Sequence, residues 1–424
     1  NAKPAFLIDN YRSTGHIIAA ANAVIDLAGD RMKAEYPIQI NRDRARARAG
    51  GEWAEQDPVA GGKVQVLPVT DDSAIAQAQA AVAELQRLSS LDPDWDWSKC
   101  AVIAREWSYL DPVRTVCERD GIPVQMANED NVSLWHLRET QALVSWVRQR
   151  GPGMLRSTDL EDWLDRQPSG PWIEMLHQAV EEHSLETATA DVPAASFIEW
   201  LAEWARDARR RQNGLQLLSA HRAKGLEFDH VVVLDGGWDR VSRGEDPDAP
   251  RRLYYVAMTR ARQTLALARL PGPHPFQDAL RGNPSVLWRD PVSLPLPTPD
   301  LARRYRRLAL RDVYLSFAGY KPPKDPTHRA IAKLTPGDQL RVRRQSDRWE
   351  LRNYEGVMVG TLASKFKAPT DMRCIKATVL AIATWSRDRS DPQYQQHLKN
   401  DTWEVVIPEL AFEPLGSEPP RRRA

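Results

Sequence analysis

The sequence predicts an α/β protein on a parallel sheet, with a small all-helical insertion and a small β-barrel-like module toward the C-terminal end. Three observations carry this. Short apolar runs alternate with amphipathic helical stretches up to Met126 and again from Leu215 to Ala268. The stretch between them reads as helical throughout. Beyond residue 309, short strands are separated by turn residues such as Pro336-Gly337-Asp338 and Glu355-Gly356. Strands alternating with helices give a parallel sheet, and consecutive short strands give a closed or layered β module.

The elements follow in order. Phe6–Ile8 reads as a strand. Residues 13–28 read as a helix, with Ile17, Ile18, Ala21, Val24 and Ile25 on one face and Ser13 as its N-cap. Residues 41–62, with Arg42, Arg44, Arg46 and Arg48 alternating, read as a loop. Strands are expected at Lys63–Val69, Ala101–Ala104 and Pro123–Met126, and helices at 73–90 and Tyr109–Asp120, the latter stopped by Gly121. From Leu137 to Arg211, Trp146, Trp163, Trp172, Trp200 and Trp204 sit among Leu, Ile and Ala, as core rings of packed helices do. Strands return at Leu215–Leu218, His230–Leu234 and Thr264–Ala268, with a helix over Arg251–Ala261. Eight prolines between Pro271 and Pro299 read as an extended linker. Five strands follow: Gln339–Arg344, Trp349–Asn353, Val357–Leu362, Ile375–Ile382 and Thr402–Ile407.

Composition narrows the function. The 424 residues are 42% hydrophobic and 27% charged, which excludes wholesale disorder. No apolar run is long enough for a membrane span. Three separated cysteines exclude a disulfide scaffold and fit a reducing, cytoplasmic setting. The near-neutral total hides an asymmetry, because residues 301–424 carry a net charge of +10. That imbalance fits a polyanion partner as well as a solvated charged face. There is no G-x-x-x-x-G-K-[ST] loop; at Gly62-Lys63-Val64 the first glycine is Asp57 and the hydroxyl is missing. No metal-ligand cluster and no G-x-S-x-G elbow occur. The chain begins at Asn1, so a fragment of something longer is expected.

Three segments stand out: LIDNYRSTGHIIAAAN from Leu7, LLSAHRAKGLEFDHVVVLDG from Leu217 and RRLYYVAMTRARQTLAL from Arg251. Each sets a cation or a tight turn at a sheet edge, where ligands of such sheets bind. Arg12 lies between strand and helix, Lys224-Gly225 in a turn, and Arg260 near a helix end with Arg262 beside it. Two arginines converging on one phosphate suit phosphoryl transfer. Taken singly, each Arg also reads as a surface ion pair, His221 as a turn histidine and Glu227 as a surface carboxylate.

In this order the segments resemble motifs IV, V and VI of the UvrD/Rep-like superfamily-one DNA helicases. Asn10–Ser13 with Ala21-Asn22 resembles motif IV, Ser219–Phe228 motif V and Arg251–Arg262 motif VI. Cys100–Arg105 followed by Gly121-Ile122-Pro123 resembles the stretch between IV and V. The resemblance implies a RecA-like helicase 2A-type domain and an ATP-dependent, 3′-to-5′ DNA helicase with roles in DNA repair and recombination. It implies that Tyr11 stacks on adenine, that Arg12 and Arg260 reach the γ-phosphate, that Gly225 lets the backbone approach the nucleotide, and that Glu227 accepts from the ribose. Ser219 and His221 are implied to contact DNA phosphates, and Lys224 either caps its turn or joins them.

ATP with Mg²⁺ is the implied cofactor. The Mg²⁺ ligands and the P-loop belong to the other motor domain, upstream in the parent chain or on a separate subunit. This chain alone is therefore expected to be inactive. Expected partners are single-stranded or partly duplex DNA and that P-loop domain, with no membrane. The expected organisation is 1–136 and 212–270 as the two parts of domain 2A, 137–211 as a reduced 2B-like insertion and 271–308 as the linker. A basic accessory module over 309–412 and a disordered tail over 413–424 complete it. In the accessory module, Arg341, Arg343 and Arg344 with Trp349, Trp385 and Trp403 read either as a DNA surface or as a core with a solvated face. A non-catalytic DNA-binding scaffold derived from a helicase is the alternative for the whole chain.

Overall fold

The computed structural model describes residues 9–10, 12–29, 39–40, 48–126, 133–207, 213–241, 243–291, 294–296, 298–345 and 348–416. The expected strand Phe6–Ile8, Tyr11, the Arg42, Arg44 and Arg46 stretch, and the tail from 417 lie outside them. The chain forms two compact units. One comprises residues 1–127 and 212–304, the other 128–211 and 305–424.

The first unit is built on a seven-stranded sheet. Its strands are β1 (Val64–Pro68), β2 (Cys100–Ala104), β3 (Val124–Met126), β4 (Leu215–Ser219), β5 (Phe228–Val233), β6 (Ala261–Arg269) and β7 (Val286–Trp288). The order is β7-β1-β6-β5-β2-β4-β3, and every pairing is parallel. Central strands of a parallel sheet are covered on both faces and so lack alternation. Accordingly, all five residues of β2 and of β4 are buried. Burial of a side chain such as Ile103 is worth about 1.5–3 kcal/mol.

Helices α1 (Gly15–Ile25), α2 (Ala74–Ser89) and α3 (Leu110–Asp120) cover the sheet. Ser73 caps α2, its Oγ accepting from Ala76 N at 3.1 Å. Gly121 ends α3 at φ +71°, a left-handed turn that glycine adopts without strain. The N-cap of α1 is Thr14, not Ser13. The Ser13 hydroxyl is committed elsewhere, to the Ala261 carbonyl at 2.7 Å.

The Pro-rich stretch differs from the extended linker its composition suggests. Phe276, Leu280 and Val286 belong to the sheet's core, and β7 closes one edge of the sheet. Proline is tolerated on such an edge, where one side of the strand needs no ladder hydrogen bonds.

Beside two short helices, Pro326–Ala332 and Pro392–Gln395, the second unit combines a helical stretch of four helices with a six-stranded sheet. The helices are α4 (Arg138–Gln149), α5 (Ser157–Asp165), α6 (Pro171–Glu186) and α7 (Ala194–Asp207). The strands are β8 (Arg304–Arg307), β9 (Gln339–Gln345), β10 (Arg348–Arg352), β11 (Met358–Thr361), β12 (Met372–Ser386) and β13 (Thr402–Pro414), in the order β8-β13-β12-β9-β10-β11. That order ends on β8 and β11, and no pairing joins them among the described residues. The β-barrel-like module expected from the sequence is a six-stranded sheet whose closure into a barrel is not shown among the described residues.

The helical stretch and the C-terminal sheet share one core. Leu134, Leu137, Trp172 and Met175 pack with Val379, Ile382, Leu410 and Phe412. Leu137 forms an antiparallel bridge to Ala383, and Trp172 Nε1 donates to the Leu380 carbonyl at 3.1 Å. The helices also keep a core of their own around Leu143, Leu160, Leu176, Phe197 and Leu201, with Trp146, Trp163, Trp200 and Trp204 packed half-buried against it. Trp403 is only 4% exposed, and its Nε1 donates to Leu315 O at 2.7 Å. Trp349 stands edge-on to Phe366 and Phe412, and Trp385 edge-on to His136. Trp349 and Trp385 are partly buried, packed against the shared core.

Candidate functional site

Strand direction sorts the singled-out residues into two groups. In parallel strands every C-terminal end lies on one side of the sheet. Ser219 is the last residue of β4 and pairs with Ala104, the last of β2. Glu227 immediately precedes β5 and Arg260 immediately precedes β6, where Ala261 pairs with Phe228. Ser219 and Glu227 therefore sit at opposite ends of the sheet. The eight residues Ala220–Glu227 run between them without a helix, crossing β2 to reach β5.

At the C-terminal end, Ser219 is 8% exposed and its carbonyl accepts from Arg222 N at 2.9 Å and Ala223 N at 3.0 Å. His221 lies just beyond. Arg105, the first residue after β2, donates from Nη1 to His221 Nδ1 at 3.3 Å. Burial first, and then the Arg105 charge, lower the His221 pKa below the usual histidine value. His221 is thus a neutral acceptor beside a cation near pH 7. The exposed Lys224 amide faces the His221 carbonyl at 3.4 Å, inside the turn. Gly225 has φ +86°, with nothing within 4 Å of where a Cβ would lie. It is needed for a left-handed turn, and the space beside it is open.

At the other end, five charged residues meet. The Arg12 Nε pairs with Glu227 Oε2. Arg262 Nη1 lies 3.6 Å from Glu227 Oε1, and its Nε 3.3 Å from Asp229 Oδ1. Arg260 donates from Nη1 to Leu226 O at 3.0 Å, from Nε to Val256 O at 2.9 Å and from Nη2 to Thr259 Oγ1 at 3.2 Å. Desolvation lowers the Arg260 pKa, and the neighbouring Arg12 guanidinium lowers it further, against the opposing Glu227 carboxylate. Arg12 and Arg262 share the Glu227 carboxylate, Arg262 also meets Asp229, and Arg260 lies close enough to feel both Arg12 and Glu227. Arg12 and Glu227 are 37% and 43% exposed, so water screens the pair and it contributes about 0–1 kcal/mol to stability.

The backbone fixes this convergence. Thr14 N donates to Arg262 O at 3.1 Å and Phe228 N to Arg260 O at 2.9 Å. Arg12, Glu227 and Arg260 are thereby brought together from three distant segments. Tyr11 lies outside the described residues. Arg341, Arg343 and Arg344 are exposed on β9, in the other unit. Their register partners are Arg352, Glu350 and Trp349, and the Arg344 guanidinium carbon lies 5.9 Å from the Trp349 ring centre. Sequence reasoning gave no role to Arg105 or Asp229. The Arg at the end of an apolar strand, next to a second strand ending in Ser-Ala-His, was the signal for the first.

No helix among the described residues is long and apolar enough to cross a membrane. No cluster of three metal-ligating side chains occurs among the described residues.

Comparison with known proteins meets the motifs at the same place. Residues 215–268 match the UvrD-like helicase C-terminal domain family. The chain is 41% identical over 71 residues to the protein named "Putative ATP-dependent DNA helicase YjcD" of Bacillus subtilis (strain 168). That match covers 14% of this chain and 9% of the relative. Among solved structures, the C-terminal domain of a "possible DNA helicase" from Lactobacillus plantarum WCFS1 is similar at 11% identity and a TM-score of 0.32. It covers 66% of this chain and 100% of that one. Over residues 215–268, from β4 through the crossover to the strand that follows Arg260, this chain is similar to the C-terminal domain of UvrD-like helicases.

Proposed function

We propose that the chain is the second motor domain and C-terminal extension of an ATP-dependent DNA helicase of the UvrD-like kind, moving 3′ to 5′. One observation carries the reading: Arg12, Glu227 and Arg260 converge at one end of the parallel sheet, and a single helix-free crossover joins them to Ser219 and His221 at the other. In this reading ATP and its Mg²⁺ are held by a P-loop domain supplied elsewhere. The first unit closes on the nucleotide and brings Arg12 and Arg260 to the γ-phosphate, where fixed cations stabilise the charge that develops. Glu227 gives up Arg12 as the phosphate takes its place, and turns to the ribose.

Ser219 and His221 meet the DNA backbone, with Arg105 and Lys224 adding charge. A shift of the crossover then links the two ends, and hydrolysis reopens the cleft. Arg341, Arg343 and Arg344 add a phosphate-binding stripe that carries no base readout.

The test joins this chain to its P-loop domain and measures DNA-stimulated ATP turnover. Arg260→Ala is expected to lower turnover about 10³-fold or more while DNA binding persists. Turnover within tenfold of the native rate would reject the motor reading. The isolated chain is expected to show no turnover with single-stranded DNA. A second reading, the non-catalytic scaffold, is favoured by one observation: Arg260 already spends its donors on Leu226 O, Val256 O and Thr259. It predicts that Arg260→Ala harms stability alone.

A further inference from the structure

In the second unit, tyrosine carries the exposed aromatic surface near the C-terminal sheet. Trp349, Trp385 and Trp403 belong to the shared core or pack against it. Tyr314 and Tyr394, by contrast, are 42% and 49% exposed. The Tyr320 ring lies near-parallel to that of Tyr314, with centres 6.4 Å and planes 21° apart. Burial first, and then a hydrogen bond to Tyr320, raise the Tyr314 pKa, while Arg348 opposes the rise and Tyr394 adds to it. Arg348 and Tyr394 therefore lie within electrostatic reach of the Tyr314 hydroxyl. Three tyrosines and a guanidinium make one patch.

The backbone beneath the rings is tied down. Tyr314 N donates to Thr361 O at 2.8 Å, Trp403 Nε1 to Leu315 O at 2.7 Å, and Asn400 Nδ2 to Lys321 O at 2.8 Å. At Gly319 a Cβ would come within 2.9 Å of Leu398 and the Trp403 ring, so the turn before Tyr320 sits directly on the core. A tyrosine on such a support offers a large flat surface and loses little side-chain freedom when it is covered.

Charge selects what covers it. Residues 311–325 and 391–399 hold Arg311, Lys321, Lys324 and Lys399, and Arg348 makes a fifth cation. Their three carboxylates, Asp312, Asp325 and Asp391, each accept from a backbone N–H, of Ala309, Thr327 and Gln393 respectively. Arg348 also pairs in register with Gln345 of β9. Residues paired across strands share a face, as do alternate residues along one, so Arg341, Arg343 and Arg348 line up. A proline-rich peptide suits exposed tyrosines but brings no negative charge to this surface. A nucleic-acid strand brings phosphates and flat bases together.

We propose that Tyr314 and Tyr394 stack bases of single-stranded DNA whose phosphates follow Arg348 and the β9 arginines. The choice of polymer rests on the DNA-binding part of the function proposed above.

The test measures binding of the full chain, by fluorescence anisotropy at about 50 mM salt, to an oligothymidylate of roughly twelve nucleotides and to an abasic strand of equal length. The native chain is expected to prefer the thymidylate about tenfold or more. Tyr314→Ala with Tyr394→Ala is expected to weaken thymidylate binding about tenfold or more, leaving the abasic strand and the salt slope unchanged. Tyr314→Phe with Tyr394→Phe keeps the rings and is expected to bind like the native chain. Equal native affinity for both strands, an alanine pair that binds thymidylate like the native chain, or a phenylalanine pair as weak as the alanine pair overturns the stacking proposal alone. Binding of neither strand by the native chain overturns the DNA reading as well. A proline-rich decapeptide that binds the native chain but not the alanine pair, with thymidylate affinity unchanged, assigns the patch to a peptide and overturns the proposal too.

Discussion

The Ser13 hydroxyl donates to the carbonyl of Ala261 across 248 positions of sequence, at 2.7 Å and out of contact with water. Arg12 precedes the donor and Arg260 precedes the acceptor. This buried hydrogen bond therefore joins the Thr14–Arg262 backbone bond in holding the segments of the two arginines together. Ser13→Ala strands the Ala261 carbonyl and is expected to cost about 1–3 kcal/mol, read as a lower urea midpoint. In the complete motor it is also expected to lower ATP turnover by more than the stability loss explains at temperatures where the variant is folded.

Arg260→Ala carries two consequences at once. The guanidinium holds the carbonyls of Leu226 and Val256, so its loss is expected to destabilise the chain by about 1–3 kcal/mol in urea unfolding. Arg260→Lys keeps a charge but not the planar fork, and one ammonium cannot serve both carbonyls and a phosphate. It is expected to fold better than R260A and to turn over ATP about as slowly.

His230 makes stability depend on pH. Its ring stacks on Trp95 at 4.3 Å and stands edge-on to Trp53, with Nδ1 at 2.9 Å from Thr264 Oγ1. Burial pushes its pKa down to about 4, Lys99 adding to the shift and Asp92 opposing it. In the unfolded chain the imidazole titrates near its ordinary value of about 6.5. Between these values the unfolded state binds the extra proton. The contribution is complete above pH 6.5 and is lost as pH falls toward 4, by up to about 3 kcal/mol. The urea midpoint should fall over that window, and His230→Gln should flatten the fall. A profile unchanged by H230Q would refute the assignment.

Two glycines separate strain from collision. Gly225→Ala meets open space, so only its φ of +86° is penalised, at about 1–2 kcal/mol. Gly62 has φ +72°, and a Cβ there would lie 2.4 Å from the Gly50 carbonyl oxygen. Gly62→Ala is expected to be the more destabilising of the two by urea titration, because backbone must move as well.

The arginine stripe of β9 is tested by salt. In the complete protein, replacing Arg341, Arg343 and Arg344 by Ala is expected to reduce the slope of log affinity for single-stranded DNA against log salt by about 2. An unchanged slope would assign these residues to a solvated face.

What could be read from the sequence follows from what each signal measures. Apolar runs such as AVIA at Ala101 and HVVVL at His230 gave the parallel strands, because burial on both faces leaves a continuous hydrophobic stretch. Gly121 marked a helix end through its own φ. The motif residues Arg12, Glu227 and Arg260 are legible as chemistry, and the structure places them together. Local pattern misled where the deciding contact was distant. Ser13 looked like a cap, but its hydroxyl serves a strand on another segment. Pro-rich composition hid β7, because edge strands and buried single residues such as Phe276 leave no periodicity. The arrangement of the C-terminal strands was hidden too, since strand order is set by pairings that no single strand encodes.

The shared core of the second unit has a consequence for biosynthesis. Trp172 leaves the ribosome well over two hundred residues before its neighbours Leu410 and Phe412 exist. Meanwhile β4 to β7 emerge and complete the other sheet. Until β13 arrives, the apolar side of α6 must wait half-covered, so the nascent chain passes through a period of exposure in which chaperone capture competes with assembly.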